Sequence, residues 1–492
     1  MLGDVDLVAA GAGLPPDVLQ SVTDVLDELG SSSEEGRAFH PRLPFEVRGS
    51  LRERLLSAGF ADADVVVQRT IEPDRARVDL AITLEPGPRT TVGEIRVTGR
   101  ERTRSSFVAS RITLEEGERW TVEKERASLN RLYATGLFRR VSLELDPAAE
   151  GEARRDLLVD LEELPSREVW VEPGYGSYEQ ARLRVGARER NLFGTGRQLS
   201  AEGTVAVKAT RARIGLADPW FLRTELVGDL RYTFQERENP SFTERENGIG
   251  AFVTHNWSGR SSTTFGYQYR RSDITDFEEI NGEVAEALQD VDLSSLRLSQ
   301  RFDSRLPFFL PSSGQFAEAA LEWGDSSLGS ELDFLRATLT LSAYATLRES
   351  TVLASSLRIG AIQPLGGDDV IPVQERFFGG GENSVRSYRE DELGPKDADG
   401  DPVGGEAMKT LSIELRQRLP APEYELAAFY DVGNVTAEAS DWASGDDLGS
   451  ALGVGLRYLL PVGPLRLDVA WNPSAEEDED EVVLHFALGI AF

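Results

Sequence analysis

Arg386 is the residue in this chain most suited to a specific polar contact, and the contact it suits is with a carboxylate. It lies in a glycine-rich segment, residues 375–395, reading Glu-Arg-Phe-Phe-Gly-Gly-Gly-Glu-Asn-Ser-Val-Arg-Ser-Tyr-Arg-Glu-Asp-Glu-Leu-Gly-Pro. A guanidinium presents a planar fork of donors that matches a carboxylate, and Gly379, Gly380 and Gly381 let the backbone ahead of it turn sharply. Reactive chemistry is poorly represented elsewhere. His40, His255 and His485 sit in unrelated segments, so no zinc cluster is implied. There is neither a G-x-S-x-G elbow nor a G-K-[ST] phosphate loop. Phe193-Gly194-Thr195-Gly196-Arg197 superficially looks like a nucleotide loop, but it lies between strand patterns with no helix to follow and reads as a tight turn. The acidic run Glu476–Glu481 has the ligand type for a divalent cation, although a solvated loop is the simpler reading. The expectation is a protein with no enzymatic activity, no cofactor and no metal.

The totals narrow the class. Of 492 residues, 53 are basic and 84 acidic, a net charge of −31, which argues against nucleic acid as a partner. Cysteine is absent, which removes disulfides, iron–sulfur clusters and thiol catalysis. No apolar run is long enough for a transmembrane helix. That leaves a membrane barrel open, because alternating lipid-facing and lumen-facing residues average the hydropathy away. Met1-Leu2-Gly3-Asp4-Val5-Asp6 has neither the basic start nor the apolar core of a signal peptide, so an exported protein is expected here in a mature or truncated form.

Two architectures follow one another along the chain. Up to about residue 165 helices and strands mix. A helix is expected from Pro15-Pro16 to Leu29, stopped by Gly30, and another from Phe45 to Ala58, followed by strands at Asp64–Ile71 and Arg77–Leu84. The pattern then recurs: a strand at Val92–Thr98, helices at Arg102–Ile112 and Val122–Thr135, and strands at Val141–Leu145 and Asp156–Glu162. Each copy is a small sheet covered by two helices. The expected domains are 1–91, which is complete only if Val5–Ala9 supplies its initial strand, then 92–165, then 166–492.

From about Arg167 the period becomes two. Val482, Leu484, Phe486, Leu488, Ile490 and Phe492 alternate with small or polar residues. Leu465, Leu467, Val469 and Trp471 alternate with Arg466, Asp468 and Ala470; Leu411, Ile413 and Leu415 alternate with Ser412, Glu414 and Arg416. Charges in mid-strand need a wet interior, which a membrane barrel supplies on its lumen side. Connections alternate between tight turns (Pro461–Pro464, Leu419–Pro422) and long polar loops (Asn472–Glu481, Asn434–Gly449), the longest running from about Gln363 to Glu406. Sixteen strands fit, an even number that leaves the C-terminus on the side of the N-terminal domains.

These segments resemble the BamA/TamA family of outer-membrane assembly proteins. Val385-Arg386-Ser387-Tyr388 is similar to the family's (V/I)RG(F/Y) loop motif, with serine in place of glycine. A left-handed backbone at 387 would cost a serine what glycine avoids. Gly93-Glu94-Ile95-Arg96-Val97-Thr98-Gly99 and Leu132-Tyr133-Ala134-Thr135-Gly136-Leu137-Phe138 resemble the family's periplasmic POTRA repeat. Asn191-Leu192-Phe193-Gly194-Thr195-Gly196 and Asp218-Pro219-Trp220-Phe221-Leu222 resemble its first two periplasmic turns, Phe429–Val435 its thirteenth strand, and Gly453–Tyr458 with Pro461–Asp468 the two strands before the last. Leu393-Gly394-Pro395 leans towards the TamA branch. The implied fold class is α+β periplasmic POTRA domains followed by an all-β, 16-stranded antiparallel transmembrane β-barrel.

The resemblance also implies that Arg386 reaches into the lumen to pair with Asp431 near Gly433, and that the first and last strands meet in a weak seam. Pro173, Gly174 and Gly176 would weaken the first strand, and Phe486, Gly489 and Phe492 belong to the last. A client strand would pair at that seam by β-augmentation. The implied partners are unfolded outer-membrane proteins, the lipopolysaccharide-containing bilayer and a TamB-like inner-membrane protein. A two-partner secretion pore, with the same barrel and two POTRA domains, is the alternative reading.

Overall fold

A computed structural model describes residues 2–10, 14–34, 39–73, 77–147, 152–275, 290–307, 310–366, 370–443, 448–460, 463–475 and 479–488. It divides into two units, Met1–Ser166 with Asn191–Gly196, and Arg167–Arg190 with Arg197–Phe492.

The first unit opens with β1 (Leu2–Ala10), α1 (Pro16–Glu34), α2 (Leu43–Ser57), β2 (Asp64–Glu72) and β3 (Arg77–Glu85). β3 is central, parallel to β1 and antiparallel to β2. Val18, Val22 and Leu26 of α1 and Val47, Leu51 and Leu55 of α2 recur every four residues. Each set therefore forms one face, and these faces share a core with Val65, Leu80, Ile82 and Leu84. α1 continues through Gly30 to Glu34 rather than stopping at Leu29; a glycine inside a helix costs only about 1 kcal/mol.

The second sheet comprises β4 (Thr91–Thr98), β5 (Phe138–Leu145) and β6 (Arg154–Glu163), ordered β4-β6-β5, with α3 (Ser105–Ala109) and α4 (Val122–Tyr133). α3 is shorter than the expected Arg102–Ile112. The carboxylate of Glu163 explains the late start, accepting backbone N–H bonds from Glu101 (3.2 Å), Arg102 (3.1 Å) and Thr103 (2.9 Å), which holds those residues outside the helix. Burial pushes the Glu163 carboxyl up, but these bonds and one from the Thr103 side chain outweigh it and hold the group below the usual carboxylate range. A lowered folded value means that the stabilisation is complete at neutral pH and is lost as pH falls through that value. Glu163→Gln should therefore destabilise this unit by about 1 kcal/mol at pH 7. Pulse proteolysis of the full chain should show the difference shrinking as the pH drops below the ordinary carboxylate range.

In the second unit sixteen strands, from β7 (Arg167–Gly176) to β22 (Val482–Leu488), close into one antiparallel barrel. Its wall shows why the sequence alternates. Across β20 (Gly449–Leu460), β21 (Gly463–Trp471) and β22, register aligns Leu452–Trp471–Val482, Val454–Val469–Leu484 and Leu456–Leu467–Phe486 into exposed apolar rows. The intervening Arg457, Arg466, Asp468 and His485 point inward and are buried. An apolar outer wall around a charged lumen is stable only with hydrocarbon outside and polar partners within. Among the described residues no helix is long and apolar enough to cross a membrane. The longest connection, residues 365–406, joins β17 (Thr351–Pro364) to β18 (Ala407–Arg418).

Candidate functional site

The 365–406 loop is folded by its own hydrogen bonds. Phe377 and Gly405 exchange backbone bonds of 2.7 and 2.9 Å, Leu393 N–H donates to the Gly379 carbonyl (2.9 Å), and Gly381 N–H to that of Tyr388 (3.0 Å). Gly380 and Gly381 have φ of 101° and 87°, the left-handed conformation glycine tolerates. Gly379 is needed for space instead: a Cβ there would lie 3.0 Å from Val435 and 3.2 Å from Leu393. The folded loop presents Val385 and Tyr388 to a buried apolar cluster with Leu393, Phe429, Ala451 and Ala470.

That packing delivers Arg386 to the wall. Its guanidinium, 2% exposed, grips Asp431 on β19 (Tyr424–Thr436) with both oxygens, Nε–Oδ2 at 2.7 Å and Nη2–Oδ1 at 2.8 Å, and the Arg386 backbone N–H adds a third bond at 3.2 Å. It also reaches Glu414 of β18 (2.9 Å) and Asp468 of β21 (3.5 Å), and stacks 3.3 Å from the ring centroid of Phe429. Arg457 pairs with Asp468 and, at 3.1 Å, with Glu414; Arg466 lies 3.5 Å from Asp468. Three buried arginines thus face three buried carboxylates. Glycines leave room for them, since a Cβ at Gly455 would lie 2.0 Å from Asp468 and one at Gly453 2.1 Å from the Phe429 ring. Gly433, in register with Gly449, lets neighbouring strands approach, because a Cβ there would come within 2.5 Å of the Lys409 carbonyl.

Ser387 lies outside the left-handed region, so the anticipated strain does not arise. Its hydroxyl instead donates to the Ser450 carbonyl at 2.7 Å.

Two further anchors hold the loop to the barrel wall, and neither was anticipated. Glu375 is clasped by Arg270 (3.0 Å) of β13 (Ser261–Thr275) and Arg336 (2.6 Å) of β16 (Phe334–Arg348), while Arg270 also bonds Glu322 (3.0 Å). Arg237 of β11 (Leu226–Glu238) meets Glu390 at 2.9 Å and Asp391 at 3.4 Å. The available signal was the placement of these arginines within alternating strand segments.

At the seam, β22 and β7 share a single register pair among the described residues, Leu488 with Tyr175. The Tyr175 and Phe486 rings meet edge-on at 5.3 Å. Two positions further along, a side chain stands where a ladder partner would: the Ser177 hydroxyl accepts from Phe486 N–H (2.7 Å) and donates to the Phe486 carbonyl (3.2 Å). Pro173, Gly174 and Gly176 pair with Leu183, Arg182 and Gln180 of β8 (Gln180–Leu192). Gly489 and Phe492 lie outside the described residues. The arrangement can hold a loop in a lumen, and among the described residues it joins β7 to β22 through one register pair and the Ser177 hydroxyl.

Residues 191–492 match the Omp85 superfamily domain. The outer membrane protein assembly factor BamA of Nitratidesulfovibrio vulgaris is 26% identical over 435 residues, covering 86% of this chain and 53% of that protein. BamA of Neisseria meningitidis is 26% identical over 522 residues, covering 91% and 62%. The chain therefore spans roughly half to three-fifths of these curated relatives. Among solved structures, BamA from Haemophilus ducreyi lacking POTRA domains 1–3 shares the fold with a TM-score of 0.82 at 17% identity, covering 99% of both chains.

Proposed function

Because this chain belongs to the Omp85 superfamily, we propose that it assembles β-barrel proteins in the bacterial outer membrane, lending the junction between β7 and β22 to incoming client strands. The observation that carries this reading is the Ser177 hydroxyl, which serves both the N–H and the carbonyl of Phe486 where a neighbouring backbone would normally do so. An unfolded client strand offers better partners for the same groups, and pairing there extends it into the sheet. Residues 1–91 and 92–165 are then two periplasmic POTRA domains and 166–492 the barrel. In support, each N-terminal sheet combines one parallel and one antiparallel pair with two helices. β2 is an edge strand with Val66 and Ile71 exposed, able to hold a client by backbone pairing without ATP. The surrounding partner is the lipopolysaccharide-containing bilayer. A TamB-like partner on the periplasmic side rests on Leu393-Gly394-Pro395 alone.

A second reading, a two-partner secretion pore, is compatible with the same closed barrel and predicts the same clamp. Full-length protein in lipopolysaccharide-containing liposomes separates the two. Folding of a urea-denatured barrel client, followed by gel mobility, should accelerate at least about tenfold, a barrier reduction of roughly 1.4 kcal/mol. No acceleration would defeat the assembly reading, and ion conductance without client folding would select the pore.

A further inference from the structure

The lumen loop touches both strands of the seam. On the β7 side, the N–H of Ser177 donates to the Glu382 carboxylate at 3.0 Å. A Cβ at Gly176 would stand 3.2 Å from the same carboxylate, so Glu382 packs closely on the end of β7. On the β22 side, Nε2 of the buried His485 lies 2.8 Å from the Arg386 carbonyl; a carbonyl only accepts, so the imidazole donates. On adjacent β21, Arg466 donates to the Glu382 carbonyl at 3.1 Å and to Asn383 Oδ1 at 3.4 Å. Residues 382–386 therefore bridge from the end of β7 to β22, and their far end is the Arg386 clamp.

We propose that Glu382 is the positioning residue of a latch by which the lumen loop holds the seam closed. The inference rests on the seam being the working junction of the assembly factor. Ser177 follows the last residue of β7, so its N–H is the next donor that a partner strand would take up. Glu382 supplies a charged acceptor instead, and such bonds are about twice as strong as neutral ones. A client strand reaching this position must displace the carboxylate, which ties entry at the seam to movement of the loop that Arg386 anchors.

Hydrogen–deuterium exchange of the full chain in lipid nanodiscs tests the latch without a client. Glu382→Ala should speed exchange about tenfold in both peptides flanking the seam, residues 167–178 and 482–488, while β19 and β20 stay at the wild-type rate. Glu382→Gln keeps an oxygen acceptor without the charge and should give a smaller change, about threefold; if the alanine variant does not fold, the glutamine variant decides alone. Exchange within about twofold of wild type in both seam peptides overturns the proposal, as does a rise of equal size across the whole barrel, which reports general loosening. The liposome assay, not this one, bears on client assembly, so the two readings fail separately.

Discussion

Arg386→Ala is expected to destabilise the barrel by roughly 3–5 kcal/mol, reduced where lumen water reaches the exposed carboxylates. The size follows from what remains behind. Asp431, Glu414 and Asp468 are each at most 3% exposed, and the two remaining arginines both sit against Asp468. Asp431 loses both side-chain bonds from Arg386 and the stacked guanidinium above Phe429, and keeps the Ser412 hydroxyl at 2.7 Å. Asp431→Ala should cost less, about 1–3 kcal/mol, since Arg386 loses its bidentate partner but keeps Glu414 at 2.9 Å and Asp468 at 3.5 Å. The double alanine variant should fall short of the sum by about 1–3 kcal/mol, because each single change removes the same interaction. A charge swap should rescue little. An aspartate at 386 would be presented to Glu414 and Asp468, which now lie 2.9 and 3.5 Å from the guanidinium. The temperature at which the folded, fast-migrating band converts on a heated gel measures all four proteins; additive single effects would show that Arg386 and Asp431 act independently.

The barrel was legible because its wall is a repeated local pattern. Each strand carries its own alternation of lipid-facing and lumen-facing residues, so Leu467–Asp468–Val469 announces both faces without knowledge of its neighbours. Asp431 came from the family resemblance, and alternation only permitted it, putting it on the face of Phe429 and away from the exposed Tyr430. Loop-to-wall contacts have no such local signature. Glu375 and Arg270 are 105 residues apart and meet only because the barrel closes and the loop folds inward. Nothing in either segment specifies the other. Glu382 and Ser177, 205 residues apart, are the same case. Local boundaries failed for smaller reasons: Gly30 could not stop α1, and the Glu163 carboxylate claimed N–H groups that an amphipathic pattern had assigned to α3. Serine at 387 was read as a cost because the motif carries glycine there, whereas its hydroxyl has found the Ser450 carbonyl.

Locking the seam should abolish assembly while leaving the barrel folded. Tyr175 and Leu488 are register partners across β7 and β22. Opposed residues in antiparallel strands lie about 4.5–5.5 Å apart at Cα, inside the range a disulfide spans. The chain contains no cysteine, so Tyr175→Cys/Leu488→Cys introduces the only two thiols and oxidation has one intramolecular product. The locked protein should keep the heat-modifiable band and lose client folding by at least about tenfold, with reduction restoring it. The lock adds no lumen charge and leaves Arg386, Asp431 and Glu382 in place, so a loss reversed by reductant can come only from the junction itself. Client folding at the unlocked rate with the disulfide intact would mean that strands enter the bilayer elsewhere, and the Ser177–Phe486 contact would then serve only to close the cylinder.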